Sequence, residues 1–291
     1  MLACERHGSG EPLVLVHGVT HRRQAWYPVL DRLAEQREVI LVDLPGHGES
    51  DAFVTGGLPV EEAMRRDFRQ FLSDQQLDRP HVAGNSLGGR VALEAGAAGD
   101  ARSVTALSPA GFWSNEAAFA YTRGLFTCAA RMTERLGPRA DLLARTRAGR
   151  TFMYGSLMAH PGRVSPDQAL GDIRAFVRAR PALCELLSAA SPFSATVAAD
   201  VPITIAWAAR DLVLPPWQAE VAKRVLPQAE HIMMRGVGHV PMYDDPDYVA
   251  AVLLRGSAPT AVVSQLTPSQ TRMGSTERSA RTDSKAAAAT A

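Results

Sequence analysis

The chain has 291 residues and a formal net charge of +1, from 31 basic and 30 acidic side chains. That balance leaves no basic footprint for nucleic acid. No run of about 18 apolar residues is present to cross a membrane. Cys4, Cys128 and Cys184 are too widely spaced to form a disulfide framework or a zinc site. The first residues, Met1 to His7, carry no basic stretch followed by an apolar core, so no signal peptide is expected. The expected setting is therefore the reducing cytoplasm. The length fits one large domain with an insertion, or two small domains.

The elements alternate in type. Gly8 to Pro12 is a turn between two extended segments, and Leu13-Val14-Leu15-Val16 reads as a strand buried on both faces. It runs into His17-Gly18-Val19-Thr20-His21. A helix is expected from about Gln24 to Leu33, with Trp26, Val29, Leu30 and Leu33 on one face. Val39 to Val42 is the next buried strand. It leads into Asp43-Leu44-Pro45-Gly46-His47-Gly48-Glu49-Ser50, a loop dense in turn residues. A helix follows from about Val60 to Asp74, with a stripe of Met64, Phe68, Phe71 and Leu72. Then come a strand from Pro80 to Gly84, a turn at Ser86, and a helix to about Ala97.

After a strand at Ser103 to Ser108 the alternation stops. Residues 111–199 read as several helices, broken at Gly137-Pro138, Pro161-Gly162, Ser165-Pro166 and Pro181. Their many arginines, including Arg123, Arg131, Arg135, Arg145, Arg147, Arg174 and Arg178, read as a solvated face. Alternation resumes with a strand at Ile203 to Trp207, a helix from about Pro216 to Val225, and a strand at Glu230 to Met234. A last helix spans about Asp245 to Leu254. Residues 257–291 are rich in Ser, Thr and Ala, and a disordered tail is expected there.

Strands that alternate with helices and are apolar throughout imply a doubly wound, mostly parallel sheet with helices on both faces: an α/β fold. Residues 1–110 and 200–256 form its core, and 111–199 are an inserted helical segment. In such sheets ligands meet the carboxyl ends of the strands. Ser86, His17-Gly18, Asp211 and His239 all follow predicted strands and so converge at one end.

Gly84-Asn85-Ser86-Leu87-Gly88 is a G-x-S-x-G stretch between a strand and a helix. Such a turn holds the serine hydroxyl out of the sheet, and the glycines avoid clashes with the neighbouring elements. The helix that follows aims its free N–H groups at the serine. A serine hydroxyl needs a histidine base, oriented by a carboxylate, to act as a nucleophile. Among eight histidines, His239 follows the last strand and is the candidate base. His17 closes a strand, and His47 lies in a Pro/Gly loop that reads as structural. Asp211 follows the preceding strand and is the candidate acid. Asp43 is its rival, with neighbours that point to a loop-stabilising role. The order Ser86, Asp211, His239 is that of the α/β hydrolases. The oxyanion hole would be the N–H of Leu87 with one from the His17-Gly18-Val19 loop, foremost Val19.

Several stretches together resemble the cap-bearing α/β-hydrolase superfamily. They are Leu13 to Gly18, Asp43 to Ser50, Gly84 to Gly89, Ala206 to Asp211 and Gly238-His239-Val240-Pro241-Met242, within residues 10–255. The resemblance implies a cap at 111–199 over the active site, and oxyanion donors at Val19 and Leu87. It argues against haloalkane dehalogenase and epoxide hydrolase chemistry, which use Asp where this chain has Ser86. Members usually begin with one or two more strands. Here either an edge strand is missing or the first strand is wrongly placed. The elbow around Asn85 also resembles meta-cleavage-product hydrolases, which cleave C–C bonds. Their Ser-Gly-Pro-Gly type oxyanion loop and the Trp after the histidine are absent, replaced by Val19-Thr20-His21 and Val240.

The expected activity is hydrolysis of a small to medium hydrophobic ester through an acyl-enzyme, without metal or cofactor. Asn85, His21, Phe112, Trp113 and Val240 are candidate substrate-binding residues. Apolar residues of 111–199, including Phe119, Phe126, Phe152, Met153 and Met158, either line a hydrophobic site or simply pack. A C–C hydrolase, a cofactor-free perhydrolase (haloperoxidase type) and a receptor-like member that does not turn over stay open as alternatives. A small molecule is the expected partner, with neither nucleic acid nor membrane, and homodimerisation stays open.

Overall fold

A computed structural model describes residues 1–258. Seven strands carry the fold: β1 (Cys4–Gly8), β2 (Pro12–Val16), β3 (Glu38–Val42), β4 (His81–Asn85), β5 (Ser103–Leu107), β6 (Ile203–Ala208) and β7 (Glu230–Met234). They lie in the order β1-β3-β2-β4-β5-β6-β7. Only β1 runs antiparallel, against β3; the other pairings are parallel. The helices are α1 (Tyr27–Ala34), α2 (Val60–Asp74), α3 (Leu87–Ala97), α4 (Glu116–Leu136), α5 (Arg139–Arg145), α6 (Arg147–Tyr154), α7 (Pro166–Ala189), α8 (Gln218–Val225) and α9 (Pro246–Gly256).

Side chains alternate across each strand, so β2 supplies both faces. Val14 and Val16 join Met64, Phe68 and Phe71 of α2 and Val91 of α3 on one side. Leu13 and Leu15 join Val29 and Leu33 of α1 and Val249 and Leu253 of α9 on the other. A strand buried on both faces is apolar at every position, which is why these runs were legible. The order of strands reverses between β2 and β4. Their carboxyl ends, His17-Gly18 and Ser86, therefore flank the crevice at the switch point.

Three expectations change. The edge strand is present: Cys4-Glu5-Arg6-His7-Gly8 pairs with β3 along its length. It carries no apolar run because it is buried on neither face, and hydrogen bonds hold it, among them Arg23 Nε to Glu5 at 2.6 Å. The first helix is split, with a 3₁₀ turn at Arg23–Trp26 before α1. Helix α7 does not break at Pro181. Pro181 and Val177, one turn before it, are both exposed, so the carbonyl that loses its partner faces water. The expected tail lies, beyond Ala258, outside the described residues. Among those residues the three cysteines are free, and no helix is long and apolar enough to cross a membrane.

The Asp43 loop is fixed by one buried carboxylate. Asp43 accepts from the Arg23 amide at 2.6 Å, from the Glu49 amide at 3.0 Å and from the Arg23 guanidinium. Gly48 is required here, since a Cβ would fall 2.1 Å from the Asp43 carboxylate. Two buried histidines stand beside this loop with ring centroids 5.3 Å apart. His17 donates from Nδ1 to the Gly18 carbonyl (2.7 Å) and accepts at Nε2 from the Leu44 amide (3.0 Å). It is therefore held neutral, and burial pushes its pKa well down. His47 donates to the Pro45 carbonyl, and burial lowers it from the usual 6.5 to about 4.

Two outcomes are expected. Above pH 6.5 His47 is neutral both folded and unfolded and leaves stability independent of pH. Between 6.5 and about 4 the unfolded chain takes up a proton that the folded chain refuses, so stability falls as pH drops. The loss from His47 is about 3 kcal/mol across that window. His17 adds in the same direction. Urea unfolding at pH 7 and pH 4.5 measures the slope, and His47→Gln flattens it. Separately, a Cβ at Gly88 would lie 2.0 Å from the Val16 carbonyl oxygen. Gly88→Ala is expected to cost more than about 4 kcal/mol, or to prevent folding, as read by thermal unfolding.

Candidate active site

The site starts from a strained turn. Ser86 lies between β4 and α3 with φ 56° and ψ −114°, a region that side chains other than Gly rarely occupy. The surroundings hold it there. Its amide donates to the Leu107 carbonyl at 2.9 Å, and its carbonyl accepts from the Arg90 and Ala110 amides at 3.1 and 3.0 Å. Gly84 and Gly88 touch across the turn, where a Cβ on Gly84 would come within 2.2 Å of the Gly88 backbone. The loop after β2 packs down on the serine as well: a Cβ on Gly18 would sit 3.2 Å from the Ser86 Cβ.

Asp211 and His239 meet on the loops after β6 and β7. His239 Nδ1 lies 2.7 Å from Asp211 Oδ2. The other carboxylate oxygen accepts from the Val213 and Leu214 amides at 2.9 and 2.7 Å. Asp211 is thus buried as an acceptor with its oxygens matched. A carboxylate oxygen facing Nδ1 suits the tautomer that carries its proton on Nδ1, with Nε2 turned away from Asp211. Ser86 and His239 face a common small cavity of about 10 Å³ together with Gly18, Val19, His21, Asn85 and Val240.

Two larger cavities open beside it. One, of about 90 Å³, is lined by Val19, Ser86 and Leu87 from the core and by apolar side chains, among them Met64, Phe68, Val91, Trp113, Phe119 and Phe126. The other, of about 150 Å³, lies between Thr20-His21 and the inserted helices and is bounded by Tyr154, Leu157, Asp172 and Phe126. The inserted segment therefore forms the outer wall of both.

Of the residues picked from sequence, Ser86, Asp211, His239, Val19, Leu87, Asn85, His21, Trp113 and Val240 all gather here. Asn85 has a positioning geometry rather than a substrate-facing one: its side-chain NH₂ donates to the carbonyls of Leu107 (3.1 Å) and His239 (2.9 Å). It joins the serine strand to the histidine loop. Phe112 is a correction. It is 1% exposed and lines none of these cavities. Its ring packs on Phe193 and Trp207, because the chain turns inward at Gly111 before the first inserted helix begins. Met158 is likewise core, and Phe152 points to solvent. The arginines Arg123, Arg131, Arg135, Arg145, Arg147, Arg174 and Arg178 are all exposed, and none borders these three cavities.

Sequence reasoning missed other members. Val60, Met64 and Phe68 of α2 line the apolar cavity. Their helical stripe carried only a core-facing signal, and a stripe long enough to run past the sheet edge also reaches the crevice. Asp244 was not singled out. It is 2% exposed and accepts from the amides of Gly238 (2.7 Å), Ala159 (2.8 Å) and His160 (2.6 Å). It fastens the histidine loop to the inserted segment, as does the Val240 amide, which donates to the Leu157 carbonyl at 2.8 Å.

Known proteins share this architecture. The chain is 27% identical to "Lipase 3" of Moraxella sp. (strain TA144) over 244 residues, covering 81% of this chain and 74% of the relative. It is 26% identical to "Lipase 1" of Psychrobacter immobilis over 251 residues, covering 83% and 75%. Among solved structures, an esterase from Exiguobacterium antarcticum superposes with a TM-score of 0.69 at 19% identity, covering 87% of this chain and 94% of that one. A thermophilic esterase from Thermogutta terrifontis gives 0.64 at 24% identity, with 87% and 92% covered. The sequence pattern of the alpha/beta hydrolase family matches residues 13–252, and the chain belongs to that family of hydrolases.

Proposed function

We propose that this hydrolase is a serine esterase that cleaves carboxylic esters of hydrophobic acids through an acyl-enzyme. The observation that carries the reading is one cavity bordered by the strained Ser86 and by His239, with His239 held by Asp211. Ser86 Oγ attacks the ester carbonyl while His239 Nε2 takes its proton. The Val19 and Leu87 amides receive the oxyanion. His239 returns the proton to the leaving alcohol, and the bond from Ser86 to the acyl carbon remains. Water, deprotonated by His239, then attacks that acyl carbon, and the acid leaves as Ser86 recovers its proton. The names of the relatives, lipases and esterases, point the same way.

The 111–199 segment acts as a cap, and the apolar cavity receives the acyl chain. Buried aromatic and aliphatic lining favours a hydrophobic acid over an anionic one. The exposed arginines of the cap line none of the three cavities, and the arginines that border the apolar one, Arg65 and Arg90, both lie beside Glu94. Nothing there is arranged to grip a diketo acid, which weighs against C–C hydrolysis.

The test joins a fluorophosphonate probe to a graded p-nitrophenyl ester series. Wild type is expected to label and to turn over, with kcat/KM rising from acetate towards medium chains. Ser86→Ala should do neither while staying folded. Labelling without ester turnover would reject the esterase reading in favour of a non-ester substrate or a binding role. Asp211→Asn keeps an oxygen for the Val213 and Leu214 amides but places an NH₂ against His239. It is expected to lower kcat by about 10³–10⁴-fold with KM little changed.

A further inference from the structure

The two large cavities differ in chemistry, and the difference assigns them. The proton for the leaving group comes from the histidine, so the leaving alcohol must sit on the His239 side of the scissile bond. The cavity between Thr20-His21 and α6–α7 shares His21, Leu157 and Phe126 with the small cavity that His239 borders. Phe126 borders all three cavities, so the distinction rests on His21 and on Leu157, whose carbonyl accepts from the Val240 amide beside His239; the apolar cavity shares Val19 and Ser86 with the small one instead, and adds Leu87. The first is therefore the leaving-group arm and the second the acyl arm.

The leaving-group arm contains a built polar wall. Asp172, 8% exposed, accepts from Tyr154 Oη at 3.1 Å, from Gln168 Nε2 at 2.8 Å and from Arg22 Nε at 3.4 Å. A carboxylate has about four lone-pair sites, so three donors leave it one. Tyr154 uses its hydroxyl proton on Asp172, and Thr20 donates its own to the Val19 carbonyl at 2.6 Å, so both oxygens remain acceptors toward the cavity. Burial lowers His21 and raises Asp172, while each opposes the other's shift. The wall thus presents acceptors that call for donors. Arg22 already lies against the Asp172 charge, so neutral hydroxyls fit better than a cation. The arm's volume of about 150 Å³ holds a group of several heavy atoms.

We propose that this arm selects esters whose leaving alcohol is a polyol, so that the substrate class is a monoacyl ester of a glycerol-like alcohol. The inference rests on the serine-esterase reading above. The acyl chain occupies the apolar arm. The free hydroxyls of the leaving alcohol donate to Asp172, Tyr154 and Thr20. Hydrolysis transfers the acyl group to Ser86 and releases the polyol with the proton from His239.

The test compares 1-octanoylglycerol, ethyl octanoate and octanoylcholine at concentrations below their aggregation. All three give the same octanoyl-enzyme, so differences in kcat/KM report the leaving alcohol, and the change of those ratios in variants of the arm separates its contacts from the alcohol's intrinsic reactivity. Wild type is expected to favour the glycerol ester over the ethyl ester by at least tenfold. Tyr154→Phe and Asp172→Asn should each cut that ratio about tenfold, the scale of a lost buried hydrogen bond. Equal kcat/KM for glycerol and ethyl esters in wild type overturns the inference and leaves the esterase reading intact. So does preference for the choline ester, which would make the arm a cation site. Absence of both turnover and fluorophosphonate labelling in folded wild type removes the esterase reading, and this inference with it.

Discussion

The backbone at Ser86 is the constraint on which the rest of the site depends. A serine at φ 56° and ψ −114° is unfavourable by itself, at about 1–3 kcal/mol, and persists only where its neighbours over-determine it. Those neighbours come from across the sheet. Leu107 at the end of β5 accepts from its amide, and Ala110, three residues on, donates to its carbonyl. Gly84 and Gly88 let β4, α3 and β2 approach to backbone contact. The central parallel strands are thus packed tightly where Ser86 sits, and the small residues that begin α3 are the visible trace of that packing.

Three buried aspartates show how similar residues come to different tasks. Asp43 accepts from the Arg23 and Glu49 amides and from a guanidinium, and fixes a loop. Asp244 accepts from three amides and fixes two segments to each other. Asp211 also accepts from two amides, but its remaining oxygen faces an imidazole. Each avoids the cost of a bare buried charge by taking N–H donors. Asp211 alone of the three has an imidazole hydrogen-bonded to its carboxylate. Histidines divide in the same way. His17 is closed at both ring nitrogens by backbone partners, whereas His239 meets a carboxylate at one and borders the serine cavity with the rest of its ring.

Much of this was readable from residues alone. Strands buried on both faces announce themselves as unbroken apolar runs, and the G-x-S-x-G turn and Asp211 follow such strands, while His239 was placed by its position after the last, partly exposed strand β7. Strand β1 was hidden because an edge strand buried on neither face needs backbone partners rather than apolar side chains. Pro181 misled because its effect depends on which side of α7 meets water, a tertiary fact. Phe112 misled because an aromatic beside a predicted site is as well suited to packing as to lining. Tyr154 and Asp172 lie 18 residues apart on α6 and α7, on opposite sides of a loop, and no local pattern marks them as a pair. Residues brought together only by an insertion folding back carry no period in the sequence.

The Asp244 carboxylate has a wider meaning for how the site opens. Its amide donors come from the histidine loop and from the stretch after α6, and the Val240 amide adds a second tie at Leu157. The loop that carries His239 is therefore anchored to the same segment that walls the cavities. The inserted helices cannot swing as a detached lid hinged only at residues 111 and 199. Movement near α6 would pull on the loop that carries His239, and α4 is tied in turn to the Asp211 loop, where Tyr121 Oη and Thr122 Oγ1 donate to the Leu212 and Val213 carbonyls. Displacement of the insertion at either helix would therefore be felt by one member of the Asp211–His239 pair.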